Sequence, residues 1–167
     1  RHDHLAPSVW CRLGMLRIGP AKYVARIFDH GMLETAAGAQ ERDVRLARHH
    51  QNALSVAEYL GRHADVERVY YPALPQDPGH ALWQRDFSGA SGLVSFVFKH
   101  PEAGAAARFI DALKYFSIGA SWGGYESLAL EAAPERLAEH SYWQDAAKAH
   151  SVVRLHIGLE NPLDLID

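Results

Sequence analysis

The spacing of apolar and polar positions is irregular up to about residue 43 and regular beyond it. From Asp43, DVRLARHHQNALSVAEYLGRH places Leu46, Ala53, Leu54, Ala57 and Leu60 on one helical stripe, with basic and amide residues opposite. Asp43 suits the N-cap of this helix and Gly61 its stop. Val66 to Tyr71 reads as a strand ended by Pro72 and Pro75. A short helical or irregular turn around Trp83 and a Gly-Ser linker lead to Leu93–Phe98, apolar almost throughout, as in a strand covered on both faces. Pro101 then opens a helix to about Leu113, with Ala106, Phe109, Ile110 and Leu113 as its buried stripe. Tyr115 to Ile118 predicts another strand. In Ser151–Glu160, Val153, Leu155 and Ile157 point one way, and Val152, Arg154 and His156 the other. NPLDLID begins a terminal helix, while ERLAEH and WQDAAKAH predict short helices or a polar loop. Strands and helices alternate, which predicts an α/β (two-layer α+β) fold with helices packed on a sheet.

Composition narrows the function classes. A chain of 167 residues buries a real core, roughly two-thirds of its unfolded surface. Apolar residues at 48% and charged residues at 22% are ordinary for a globular domain. A net charge of −3 argues against a polyanionic partner such as nucleic acid. Cys11 is the lone cysteine, so no disulfide framework or cysteine-rich zinc site forms within one chain. No apolar run approaches membrane-spanning length and no signal-peptide pattern opens the chain. The expectation is a soluble, cytoplasmic protein with no membrane partner. The start at Arg1 without a methionine reads as a fragment. The eleven histidines are scattered, and His49, His50, His140 and His150 are expected to be solvated helix residues rather than metal ligands.

The chemistry concentrates in Phe116–Leu128. An apolar run gives way to Gly119, Gly123 and Gly124, glycines that allow positive φ or close backbone approach. Between them sit the hydroxyl of Ser121 and the flat face and N–H of Trp122. Such a turn suits a compact anionic or planar ligand; the plainer reading is a strand-to-loop connection around a buried Trp. Arg154, in the middle of an alternating strand, can grip a carboxylate through two parallel hydrogen bonds. It can equally pair with Glu160 or Asp164.

Taken together, SWGGYESL (Ser121–Leu128) and VVRLHIGLE (Val152–Glu160) resemble the C-terminal domain of the pyridoxal-phosphate (PLP) enzymes of cysteine and methionine metabolism. SWGGYES and RLHIGLE are most similar to the forms in the cystathionine β-lyase subgroup, and the His80–x–x–Trp83–x–Arg85–Asp86–Phe87 run adds to the likeness. The resemblance covers about Asp43 to the end. It implies the small C-terminal domain of a fold-type I PLP enzyme, a mixed sheet with helices on it, at 44–167. Residues 1–43 would be an irregular remnant of the cofactor-lysine region. There Ala21-Lys22-Tyr23 and Asp29-His30-Gly31-Met32-Leu33 resemble a degraded copy of the family pattern. Ala21 stands where the family has a hydroxyl residue, and Arg26-Ile27-Phe28-Asp29 stands where it has Gly-His-Ser-Asp.

The resemblance implies a carbon–sulfur lyase acting on a sulfur-containing amino acid, by α,β-elimination of cystathionine to homocysteine, pyruvate and ammonia. Arg154 would hold the substrate carboxylate, assisted by Ser121 and Trp122. Ser121 would also lie near the cofactor, and Lys22 would carry the cofactor and act as catalytic base and acid. Lys22 is otherwise one of four solvated lysines. Asp29 and Asp43 are equally open as partners for the ring nitrogen, and Arg85 with Asp86 reads as a local ion pair. The family implies a homo-oligomer, usually a tetramer. The rival from another class is a non-catalytic relic, or an oligomerisation and ligand-binding domain that kept only the carboxylate clamp. Within the enzyme class, a γ-lyase or γ-synthase is the rival.

Overall fold

The computed structural model describes residues 36–100, 102–132, 137 and 152–167. Lys22, the rest of the lysine-region likeness up to residue 35, Cys11 and most of the ERLAEH and WQDAAKAH segments lie outside the described residues.

Among the described residues nine elements follow one another: α1 (Ala36–Arg62), β1 (Val66–Tyr70), α2 (His80–Asp86), β2 (Leu93–Phe98), α3 (Ala105–Ala112), β3 (Ser117–Ile118), β4 (Leu128–Ala132), β5 (Val152–His156) and α4 (Pro162–Ile166). The strands form one sheet in the order β1-β2-β5-β4-β3. β1–β2, β2–β5 and β5–β4 pair antiparallel, and β3–β4 pairs parallel. The sheet is therefore mixed and the fold α/β, as predicted.

One face of the sheet makes the core. Ala53, Val56, Ala57 and Leu60 of α1 meet Val94 and Phe96 of β2, Val153 and Leu155 of β5, and Ala106 and Ile110 of α3. All are buried. Phe96, Phe98 and Phe109 pack edge to face with centroids 5.2–5.6 Å apart, an arrangement aromatic rings favour over flat stacking. On the other face Tyr70, Val97 and Val152 form a smaller cluster. β2 is buried along nearly its whole length, which is why it lacks alternation. Arg85 and Asp86 form the local pair expected of them, at 2.8 Å.

Three expectations need correction. The first helix starts at Ala36 rather than being capped by Asp43; residues 36–42 are mostly good helix formers, so nothing stops it there. α3 starts at Ala105 rather than Pro101, because Gly104 just before it sits at φ 74°, outside the helical region. Leu128–Ala132 is a strand that no pattern announced. Leu, Ala and Glu favour helix, but pairing with β5 and β3 decides otherwise.

Candidate functional site

β5 runs between β2 and β4, and Arg154 sits opposite Ser95 on one side and Leu130 on the other. The alternation of the strand sends Val153 and Leu155 into the core and turns Arg154 to the other face. There it is half-buried, and its Nη2 donates to the carbonyl of Ala120 at 2.6 Å. Burial lowers its pKa, but a guanidinium stays charged at physiological pH. Among the described residues no carboxylate pairs with Arg154. Glu160 accepts from Ser127 instead, and Asp164 is exposed on α4.

That bond fixes one end of a four-residue span, and Gly123 is fixed at the other. Gly123 has φ 82°, a value that favours glycine. Its N–H donates to Nε2 of His156 at 3.0 Å, and its carbonyl accepts from Nη2 of Arg45 on α1 at 2.6 Å. Ser121, exposed, and Trp122, half-buried, lie between the two anchors. Arg154 and His156, two residues apart on one strand, thus hold both ends of the span that carries them.

A second set of bonds joins this turn to the segment after β5. The backbone N–H and hydroxyl of Ser127 donate to the two carboxylate oxygens of Glu160, at 2.8 and 2.9 Å. The Ser127 hydroxyl accepts from the N–H of Gly158 at 2.9 Å, and Tyr125 O accepts from the N–H of Leu159 at 2.8 Å. Asn52 of α1 donates to the carbonyls of Gly158 and Glu160 at 3.0 and 2.9 Å. Gly158 must be glycine, because a Cβ there would run into the Tyr125 carbonyl and the Glu126 backbone. SWGGYES and HIGLE are two halves of one polar assembly.

Two histidines lie within it. His49, expected to be solvated, is 4% exposed, and its Nδ1 is 2.8 Å from the Ile157 carbonyl. The correction has a simple cause: α1 crosses the end of β5 at this point, and the helix position that looked polar faces backbone carbonyls. Its ring centroid is 5.1 Å from that of His156. Burial lowers the pKa of both, that of His156 to about 4, so both are neutral near pH 7.

Arg154 is therefore bonded to the residue that precedes Ser121 and Trp122; Lys22 lies outside the described residues. Sequence reasoning missed Arg45, His49, Asn52, Ser127, His156 and Glu160. One available signal was that His156 shares a strand face with Arg154.

Residues 32–167 match the family described as Cys/Met metabolism PLP-dependent enzyme. The chain is 50% identical to a cystathionine beta-lyase of Bordetella avium over 77% of its length and 32% of the relative's. It is 45% identical to the cystathionine beta-lyase MetC of Escherichia coli (strain K12), over 79% of its length and 34% of the relative's. The crystal structure of a cystathionine gamma synthase from Xanthomonas oryzae pv. oryzae in complex with cystathionine superposes with a TM-score of 0.64 at 38% identity, covering 78% of this chain and 34% of that one. The chain spans about a third of the length of each of these proteins. The chain belongs to the PLP-dependent enzymes of cysteine and methionine metabolism.

Proposed function

We propose that this chain is the C-terminal part of a carbon–sulfur lyase that eliminates the thiol from a thioether amino acid, cystathionine, and that Arg154 holds the substrate α-carboxylate. The observation that supports this is the state of Arg154: half-buried, fixed at one N–H by Ala120, and matched by no carboxylate among the described residues. A desolvated guanidinium with donors to spare suits a bidentate carboxylate. Similarity to β-lyases favours β-elimination, while likeness to a γ-synthase structure leaves the γ reactions as the competing outcome.

The donor set suits the substrate side of bound PLP: a cation and an exposed hydroxyl, Ser121, on a rigid span. None of the described residues is assigned to the cofactor's phosphate or ring nitrogen. When bound, PLP supplies an electron sink for the α-carbon of an amino acid. Arg154 fixes the carboxylate and thereby the orientation of the Cα–H bond. Ser121 and Trp122, on the span that Arg154 anchors, assist in binding the carboxylate. Lys22 would hold the cofactor and, once its amine is freed by the incoming substrate amine, would take the α-proton and deliver a proton to the departing sulfur. Water then completes the products homocysteine, pyruvate and ammonia. In this reading residues 44–167 form the C-terminal domain, residues 1–43 belong to the cofactor-lysine region, and the protein works as a cytoplasmic homo-oligomer.

The test is a PLP titration followed in the visible range, with borohydride reduction and peptide mapping, then titration of L-cystathionine into the wild type and Arg154→Leu. A visible band with label on Lys22, and cystathionine binding lost in Arg154→Leu at unchanged far-UV circular dichroism, are the expected results. Label spread over all four lysines removes the role of Lys22. Binding that survives Arg154→Leu removes the clamp. The second reading, a non-catalytic module that kept the clamp, is favoured by the described residues' having no assigned phosphate or ring-nitrogen partner. It predicts cystathionine binding with no visible band.

A further inference from the structure

The grip on Gly123 depends on which nitrogen of His156 carries the proton, and the surrounding bonds decide that. An amide N–H only donates, so Nε2 of His156, 3.0 Å from the Gly123 nitrogen, is the bare, accepting nitrogen. The approach of the same Nε2 to the Gly124 carbonyl at 3.2 Å is then a contact and not a hydrogen bond. In a neutral ring the proton sits on Nδ1. A carbonyl only accepts, so His49 donates its Nδ1–H to Ile157 and offers a bare Nε2. The two nitrogens left over are thus a donor, His156 Nδ1–H, and an acceptor, His49 Nε2. Both are buried, and among the described residues neither is hydrogen-bonded to the other ring or to any other group, although the rings are neighbours, 5.1 Å apart and tilted by 46°. Burial keeps both rings neutral. The charged groups acting on them are Arg45 from α1 and Glu126 and Glu160 from the two loops.

We propose that His156 and Arg45 are positioning residues: His156, bare at Nε2 and protonated at Nδ1, accepts from the Gly123 N–H while Arg45 donates to the Gly123 carbonyl, and together they clamp that peptide. With Arg154 holding Ala120, the clamp leaves Ser121 and Trp122 little freedom to move away from the carboxylate site. Neither residue binds substrate in this reading. They act by keeping the span short and stiff, because a ligand that must first order a loose turn binds more weakly. The consequence for ligand binding rests on the carboxylate reading above; the tautomer and the clamp do not.

The experiment uses the full chain labelled with ¹⁵N, at pH 7.5. Long-range proton–nitrogen correlation of the imidazole rings should show His49 and His156 both neutral, both protonated at Nδ1 and bare at Nε2. A His156 ring protonated at Nε2 overturns the proposal, whatever the variants do. In His156→Phe, which keeps bulk but removes the acceptor, amide exchange at Gly123 should speed up by about 10-fold or more, a local opening rather than a global one. His156→Gln, whose Oε1 can reach the position of Nε2, should restore most of the protection. A folded His156→Phe with unchanged Gly123 exchange sinks the clamp. Cystathionine affinity should fall by about 10-fold in His156→Phe and recover in His156→Gln. If the wild type shows the expected tautomers but binds no cystathionine, the functional reading fails and the clamp stands.

Discussion

The helix-covered face of the sheet and the turn bonded to β5 and α1 are built from different interactions. The helix-covered face is apolar: Phe96 at its centre is fully buried among Val94, Val153, Leu155 and the α1 and α3 side chains. Near the other end of β5, the Gly119–Ser127 turn is held by directional bonds from Arg154, His156, Arg45 and Glu160. The first kind of contact tolerates changes of shape and depends little on pH. The second is local, angular and sensitive to protonation. Stability resides mainly in the helix-covered face, and the precision of the site in the bonded turn.

Phe96→Ala breaks the comparison at its strongest point. Removing a fully buried ring that packs against Phe98 and Phe109 should cost about 3–5 kcal/mol, from lost transfer energy and the cavity left behind. Urea denaturation would read this as a lower midpoint with an unchanged slope. Once refolded at low urea, the variant should keep its Gly123 amide protection. Loss of that protection at full folding would mean that the two regions are not separable.

The apolar face was also the legible one. Its helix stripe of Ala53, Leu54, Ala57 and Leu60, and the alternation of β5, follow from periodicity, because burial is non-directional and repeats with the element. The polar assembly has no period. Ser127 is separated by 33 residues from the carboxylate it bonds, and His49 by 108 from the carbonyl it bonds. Spacing cannot show that a helix histidine will cross the end of a strand, so His49 read as solvated. Arg154 was legible only as a cation on an alternating strand; the Ala120 carbonyl that holds it belongs to another loop. β4 was hidden for a different reason: its residues prefer helix and only its neighbours make it a strand.

Acid sharpens the comparison by acting on the polar side alone. His156 has a folded pKa lowered to about 4 from an ordinary value of 6.5, chiefly by burial, and that of His49 is lowered too. A histidine with a depressed pKa binds more protons when unfolded. The stability it confers is complete above about pH 6.5 and declines as pH falls toward about 4. For His156 that window corresponds to about 3 kcal/mol. Urea midpoints between pH 7.5 and pH 4 should therefore fall, and the fall should be smaller in His156→Gln. An equal fall in His156→Gln would place the acid sensitivity elsewhere.

The smallest of these effects tests whether the two loops are joined by their shared bonds or merely adjacent. Ser127→Ala keeps the backbone N–H that donates to Glu160 but removes the hydroxyl that donates to the same carboxylate and accepts from Gly158. A buried N–H, that of Gly158, and the half-buried Glu160 carboxylate are left short, and the expected cost is about 1–3 kcal/mol. The change adds no bulk, so the apolar core should be untouched and the denaturation slope unchanged. Its distinguishing consequence is local: exchange at the Gly158 amide should speed up while amides in β2 keep their protection. If β2 opens together with Gly158, the polar assembly and the core form one cooperative unit, and the division between the two regions does not describe how the molecule opens.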